Sequence, residues 1–153
     1  MLRQKVTPFL WFDNQAEEAA RFYVSLFPDS EITGVTPGPD GAPLVVAFRL
    51  AGIDFLALNG GPAHPHTEAF SLSIDCHSQD EVDRYWGALT AGGSPVACGW
   101  LKDRFGLFWQ VVPDVLPKLL GDPDRAKAGR AMQAMMGMTK LDIAALQAAA
   151  DGK

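Results

Sequence analysis

The 153-residue sequence has no excess of positive charge, only two cysteines and no long apolar segment. It has 13 lysines and arginines against 18 aspartates and glutamates, and the net charge of −5 argues against binding to nucleic acid or to an anionic membrane surface. No apolar run approaches the ~20 residues of a membrane span. The start, MLRQKVTPFLWF, lacks the apolar core and the small-residue cleavage site of a signal peptide.

The cysteines, Cys76 and Cys98, are far apart in the sequence. Two thiols in a chain without an export signal are expected to be reduced rather than bridged. With 48% hydrophobic and 20% charged residues, the composition is that of an ordinary globular protein. The sequence therefore predicts a cytoplasmic protein with free thiols, in which Cys98 is a small buried hydrophobic residue.

An internal repeat is the strongest pattern in the sequence. Residues 18–26, EAARFYVSL, align with residues 81–89, EVDRYWGAL, at an offset of 63, and both stretches have apolar residues at helical spacing. Each follows a strand-like segment, PFLWF at 8–12 or FSLSID at 70–75, and each precedes a break and three short β-rich segments. The pattern predicts an α+β fold of two tandem βαβββ modules.

The predicted boundaries divide a single domain into four parts. Module one spans 5–59, a Gly/Pro/His-rich connector spans 60–67, module two spans 68–113, and a helical tail spans 114–150. Two curved sheets of this kind, with helices on their convex faces, are expected to leave a cavity between them. Such a cavity is the default place for a small-molecule site.

Several motifs carry a resemblance to a known family: PFLWFDNQAEEAARFY (8–23), ALNGGP (57–62), TEAFSLSIDC (67–76), QDEVDRYW (79–86) and CGWLKDRFGLFWQVVP (98–113). They resemble the vicinal oxygen chelate superfamily of glyoxalases, bleomycin-resistance proteins and extradiol dioxygenases. Within it, the chain is similar to the PhnB-like branch, often labelled 3-demethylubiquinone-9 3-methyltransferase, and the helical tail also matches that branch. The resemblance says little about activity, because a fold does not fix a function. We expect a homodimer.

The methyltransferase label finds no support in the residues. A classical methyltransferase holds its nucleotide-like cofactor with a glycine-rich loop between a strand and a helix. No GxGxG-type stretch follows a strand here, and Gly60-Gly61-Pro62 leads into the connector instead. We therefore expect no methyl transfer.

The resemblance also implies up to four metal ligands, one on the first and one on the last strand of each module, usually His, Glu or Gln. In this chain Val6, Leu56, Ala69 and Gln110 occupy those positions, and only Gln110 could ligate. A shift of one residue in the register of this strand would place Glu68 at the ligand position instead of Ala69. Glu68 and Gln110 would still form an incomplete site, so we predict no cofactor, with a divalent metal at these two residues as the alternative.

Gln110 lies in the middle of an apolar strand, where its amide either contacts a ligand or satisfies buried backbone groups. Strand alternation puts Ser71 and Ser73 on the cavity side with it. Asn59 either reaches the cavity mouth or caps a turn, and Trp100 could stack on a planar ligand. The predicted ligand-binding residues are Gln110, Ser71, Ser73, Asn59, Trp100 and Glu68.

The offset of 63 also predicts which side chains of the first strand face the cavity. It places Leu10 in the cavity and Trp11 against the helix. The segment Lys102-Asp103-Arg104, just before the last turn, is expected to form a solvated hairpin.

Three functions remain open on the sequence alone. The preferred one is metal-independent binding of a small organic molecule between the modules. The second is a metal-dependent lyase, isomerase or dioxygenase that recruits Glu68, Gln110 and His64 or His66. The third is a dimeric interaction protein whose cavity is filled by its own side chains.

Overall fold

The chain folds into the βαβββ pattern twice, followed by three helices, which confirms the predicted α+β fold with a helical tail. A computed structural model describes residues 4–153, so the first three residues of the stretch tested for a signal peptide lie outside it. The elements are β1 (Phe9–Phe12), α1 (Ala16–Leu26), β2 (Glu31–Pro37), β3 (Pro43–Leu50), β4 (Ile53–Asn59), β5 (Leu72–Cys76), α2 (Gln79–Thr90), β6 (Ser94–Pro95), β7 (Trp100–Lys102), β8 (Phe108–Pro113), α3 (Val115–Leu120), α4 (Arg125–Met136) and α5 (Ile143–Ala150).

The chain forms two compact units, the first ending at His66 and the second beginning at Thr67. The sheet of the first unit has the strand order β1-β4-β3-β2, with β1 parallel to β4. The sheet of the second unit has the order β5-β8-β7-β6, with β5 parallel to β8. Within residues 4–153, no helix is long and apolar enough to cross a membrane.

In the first unit, α1 covers one face of the sheet because its apolar residues recur at helical spacing. Ala16, Ala19 and Tyr23 are buried on this side of the helix. The Tyr23 ring lies 6.5 Å from that of Phe48, which in turn stacks on Phe55 at 5.3 Å. These aromatic contacts fix the helix on β3 and β4.

The predicted facing of β1 is wrong. Leu10 is 1% exposed and belongs to the face covered by α1, whereas Trp11 is half-buried on the opposite face. The first residues of α1 and α2 are 63 positions apart. The first strands have a different offset: Phe9 pairs with Leu56, Ser73 pairs with Gln110 at the equivalent position of the second sheet, and Phe9 and Ser73 are 64 positions apart. Three residues separate β1 from α1 and two separate β5 from α2. This difference of one residue inverts the faces.

Asp103 is buried, although its sequence context predicts a solvated hairpin; its two neighbours are exposed as expected. Its Oδ1 accepts hydrogen bonds from the backbone N–H of Phe105 at 2.8 Å and of Leu107 at 3.1 Å. Its Oδ2 accepts one from Trp109 Nε1 at 2.8 Å. One carboxylate thus holds the turn between β7 and β8 and orients the largest side chain of the core.

A turn at Cys98 and Gly99 lies between the end of β6 at Pro95 and the start of β7 at Trp100. Both turn residues have positive φ, 62° and 83°. The N–H of Cys98 donates to the carbonyl of Met138 at 2.8 Å, and the N–H of Gly99 donates to that of Thr139 at 2.7 Å. The turn is therefore the place where the tail joins the second sheet, and Cys98 is half-buried in it.

The tail has a second attachment at the start of α2. Gln79 Oε1 accepts a hydrogen bond from the N–H of Ile143 at 2.8 Å, and its Nε2 donates to the carbonyl of Leu141 at 3.1 Å. Leu141 packs with Leu116 and Leu146 in the apolar cluster of the tail. Leu116 lies on α3, the first helix of the tail.

Candidate functional site

One face of the second sheet carries most of the predicted ligand-binding side chains. Trp100 on β7 pairs with Gln110 on β8, which pairs with Ser73 on β5. Paired residues on adjacent strands point to the same side of a sheet, and the neighbouring positions in these strands are the buried ones that face α2. We call the side that bears Trp100, Gln110, Ser73 and Lys102 the polar face.

Gln110 is half-buried at the centre of the polar face. Its Nε2 donates a hydrogen bond to Ser71 Oγ at 2.9 Å, which ties β8 to the residue before β5. Within residues 4–153, its Oε1 accepts no hydrogen bond. The amide therefore makes a structural contact and still offers an acceptor, next to the exposed hydroxyl of Ser73 and the half-buried ring of Trp100.

Lys102 extends the polar face by one further pair along β7. It pairs with Phe108, and its Nζ lies 5.9 Å from the centre of the Phe108 ring, a cation–π contact. The ammonium group is exposed, and in the described part of the chain it makes no ion pair or hydrogen bond. Sequence reasoning treated Lys102 as a solvated hairpin residue and did not include it in the site.

Asn59, predicted for the site, belongs to the first unit. Its Oδ1 accepts a hydrogen bond from the N–H of Ala16 at 2.8 Å, and its Nδ2 donates to the carbonyl of Pro43 at 3.0 Å. It therefore caps α1, whose N-cap residue Gln15 makes no side-chain capping bond. Asn59 also lines a cleft of about 790 Å³ between the start of α1 and the β2–β3 turn.

Glu68 lies in a turn over residues 67–70, where Thr67 Oγ1 accepts a hydrogen bond from the N–H of Ala69 at 3.2 Å. Since β5 begins at Leu72, the predicted start of this strand at residue 70 is wrong. Glu68 and Ala69 are thus outside the sheet, and Glu68 is exposed.

The residues do not fit a divalent metal. Two of the four predicted ligand positions, Val6 and Ala69, precede β1 and β5 and lie outside the sheets. Of the other two, only Gln110 has a donor side chain. Across residues 4–153, no three side chains of His, Cys, Asp or Glu are placed together so that they could hold an ion. Zinc sites in proteins take three or four protein ligands, and calcium sites take six to eight oxygen ligands.

The connector histidines pack on the aromatic residues of β1. The His64 ring meets Trp11 edge-on at 4.7 Å between centres, and the His66 ring meets Phe12 at 5.4 Å. Trp11 Nε1 donates to the carbonyl of Gly61 at 2.9 Å. Both imidazoles therefore serve the packing of the connector on the first unit.

His77 and Asp114 form a charged pair that no local sequence pattern indicates, since they are 37 residues apart. His77 Nδ1 lies 2.9 Å from Asp114 Oδ2, and its Nε2 lies 3.9 Å from Asp75 Oδ2. The hydrogen bond to Asp114, assisted by the charge of Asp75, raises the pKa of His77. The same hydrogen bond lowers the pKa of Asp114. The pair joins the ends of the parallel strands β5 and β8.

The His77–Asp114 pair is expected to stabilise the fold most strongly between about pH 4 and pH 6.5. A raised histidine pKa gives stability that is full below its ordinary value of 6.5 and is lost as the pH rises through the folded-state pKa. A lowered aspartate pKa gives stability that is present above 3.8 and is lost as the pH falls. Urea unfolding of the wild type and of His77→Gln at about pH 5.5 and pH 9 tests this. We expect a larger difference between the two proteins at the lower pH; an equal difference would contradict it.

The duplicated βαβββ fold is that of the vicinal oxygen chelate proteins. A family profile described as 3-demethylubiquinone-9 3-methyltransferase matches residues 4–112. The chain therefore belongs to this family, the PhnB-like branch of the vicinal oxygen chelate superfamily. A comparison with curated proteins gave no match.

Solved structures agree with this assignment. A PhnB protein from Bacillus cereus is 31% identical with a TM-score of 0.67, over 72% of this chain and 99% of that one. Protein PA1353 from Pseudomonas aeruginosa is 23% identical with a TM-score of 0.58, over 72% and 97%. The fosfomycin resistance protein FosX from Listeria monocytogenes is 16% identical with a TM-score of 0.58, over 80% and 100%. The last two show a shared fold only.

Proposed function

We propose that the protein binds a small planar organic molecule on the polar face of the second sheet, without a metal. The observation that carries this proposal is the half-buried carboxamide of Gln110, whose oxygen accepts no hydrogen bond within residues 4–153. Trp100 beside it supplies a flat apolar surface, and Ser73 supplies a hydroxyl. Small-molecule sites typically combine apolar surface with a few polar groups of this kind.

The polar contacts explain why binding is preferred to catalysis. No histidine is hydrogen-bonded to Ser71, whose hydroxyl accepts from Gln110, so in the described chain that serine has no base to activate it. Within residues 4–153 no three His, Cys, Asp or Glu side chains lie together, which favours binding over a metal-dependent lyase, isomerase or dioxygenase. The methyltransferase chemistry in the family's description is not part of the proposal.

The Gln110 amide supplies the test. We expect that 2-naphthamide, a neutral planar probe, shifts the NMR signals of the Gln110 side-chain amide and the Trp100 indole. Gln110→Met keeps the length of the side chain but removes the acceptor, and it should weaken binding about five- to tenfold. Gln133→Met changes an exposed glutamine of α4 and should leave binding unchanged. Equal affinities of both variants and the wild type would contradict the role of Gln110.

A homodimer in the cytoplasm is also part of the proposal. Support for association comes from large apolar side chains that the single chain leaves exposed: Phe9 is 54% and Met136 is 64% exposed. Light scattering on the purified protein should give twice the chain mass of 16.5 kDa. A mass of one chain at micromolar concentration would contradict the dimer.

A further inference from the structure

We infer that the ligand of the polar face carries an anionic group, of the carboxylate kind, which pairs with Lys102. This inference rests on the proposed function and specifies the chemical class of its ligand. Three properties of the Lys102 side chain support it: its position on β7, its charge without a carboxylate partner in the described chain, and its contact with the Phe108 ring.

The position of Lys102 follows from the register of β7. Lys102 lies two residues after Trp100 on the same strand, so both side chains point to the polar face and their Cα atoms are about 7 Å apart. The pairing of Lys102 with Phe108 and of Trp100 with Gln110 places the two residues in adjacent rows of the sheet. A ring stacked on Trp100 would therefore hold a substituent within reach of the ammonium group.

The charge of Lys102 is uncompensated in the described part of the chain. Two other lysines of the second unit have carboxylate partners: Lys140 lies 2.7 Å from Asp83, and Lys127 lies 3.5 Å from Asp151. Lys102 has no such partner within residues 4–153, and its ammonium group lies over the Phe108 ring. That contact holds the aliphatic part of the side chain on the sheet and leaves the ammonium group exposed.

At the opposite end of the polar face, the carboxylate of Asp75 disfavours a second negative charge on the ligand. Asp75 follows Ser73 by two residues on β5 and points to the same side, with its carboxylate 3.9 Å from His77 Nε2. The polar face thus runs from a cation at Lys102, past the acceptor of Gln110, to an anion at Asp75. A planar molecule with an anionic group at one end and a hydrogen-bond donor along its edge complements this order.

Two probes of nearly the same shape separate charge from shape: 6-hydroxy-2-naphthoate and its neutral amide, 6-hydroxy-2-naphthamide, which both keep a hydroxyl group that can donate to Gln110 Oε1. Their affinities can be measured from the shifts of the Trp100 indole and Gln110 amide signals at low ionic strength. We expect 6-hydroxy-2-naphthoate to bind about fivefold more tightly than its amide, as an exposed ion pair allows. Lys102→Met should remove this preference and leave the affinity for 6-hydroxy-2-naphthamide unchanged. Lys118→Met, the matched change at an exposed lysine of α3, should retain the preference.

The outcomes distinguish the two proposals. Equal binding of both probes to the wild type, with shifts at Trp100 and Gln110, would overturn the anionic class and leave the proposed site standing. A preference for 6-hydroxy-2-naphthoate that survives in Lys102→Met would likewise overturn the role of Lys102. If neither probe moves the signals of Trp100 and Gln110, the proposed function fails, and the inference fails with it.

Discussion

Replacing Asp103 with asparagine is expected to lower the free energy of unfolding by about 3 kcal/mol. The Asp103 carboxylate is 2% exposed and accepts three hydrogen bonds, one of them from Trp109 Nε1. An asparagine can present only one acceptor oxygen, so its NH₂ group would face either the indole N–H or the two backbone N–H groups of the turn. A buried donor would then be left without an acceptor. Urea unfolding followed by tryptophan fluorescence measures the change.

Asp80→Asn is the matched control for this prediction. Asp80 is exposed in the first turn of α2, where a carboxylate contributes only through the helix dipole. Its substitution should cost less than about 1 kcal/mol. A cost for Asp103→Asn no larger than that of Asp80→Asn would show that the carboxylate does not organise the β7–β8 turn.

Gly93→Ala is expected to destabilise the protein by about 3 kcal/mol or more. A methyl group at this position would lie 2.1 Å from the carbonyl oxygen of Lys102 and 2.9 Å from the Cα atom of Asp103. Both are backbone atoms: Lys102 is the last residue of β7, and Asp103 follows it directly. Because β6 pairs with β7, the two strands would have to separate. Thermal and urea unfolding measure this loss of stability. In the extreme case, the variant would show no cooperative unfolding transition.

The same substitution on α2 provides the control. Gly87 lies within α2, and a methyl group added there would meet no atom within 4 Å. Gly87→Ala should therefore stabilise the protein by about 0.5–1 kcal/mol, because alanine is the better helix former. Equal effects of the two glycine substitutions would mean that the close approach at Gly93 is absent in solution.

The repeat made the fold predictable from the sequence. Helical spacing in EAARFYVSL and EVDRYWGAL, with β-rich segments in the same order around each, was enough to predict both modules. The facing of β1 was not predictable in the same way. PFLWF is apolar on both of its faces, so alternation defines two sets without deciding which set is buried. The offset of 63 taken from the helices then predicted the wrong set as buried, because one residue fewer separates β5 from α2 than separates β1 from α1.

The polar groups of the second unit were predictable only in part. Gln110 was recognisable because it interrupts an apolar strand. The burial of Asp103 was not, since the sequence places it between two charged residues, and its partners become apparent only when the turn is closed. His77 and Asp114 meet because the ends of parallel strands are adjacent in space. Contacts of this kind are set by tertiary structure and leave no local pattern.

A crystal structure of the chelator-treated protein soaked with 2-naphthamide tests the central claim most directly. We expect the ring of the probe against Trp100 and its amide within hydrogen-bonding distance of Gln110 Oε1, with no ion beside it. A probe that binds only after a divalent metal is restored, or that binds elsewhere while the polar face stays free, would contradict the account.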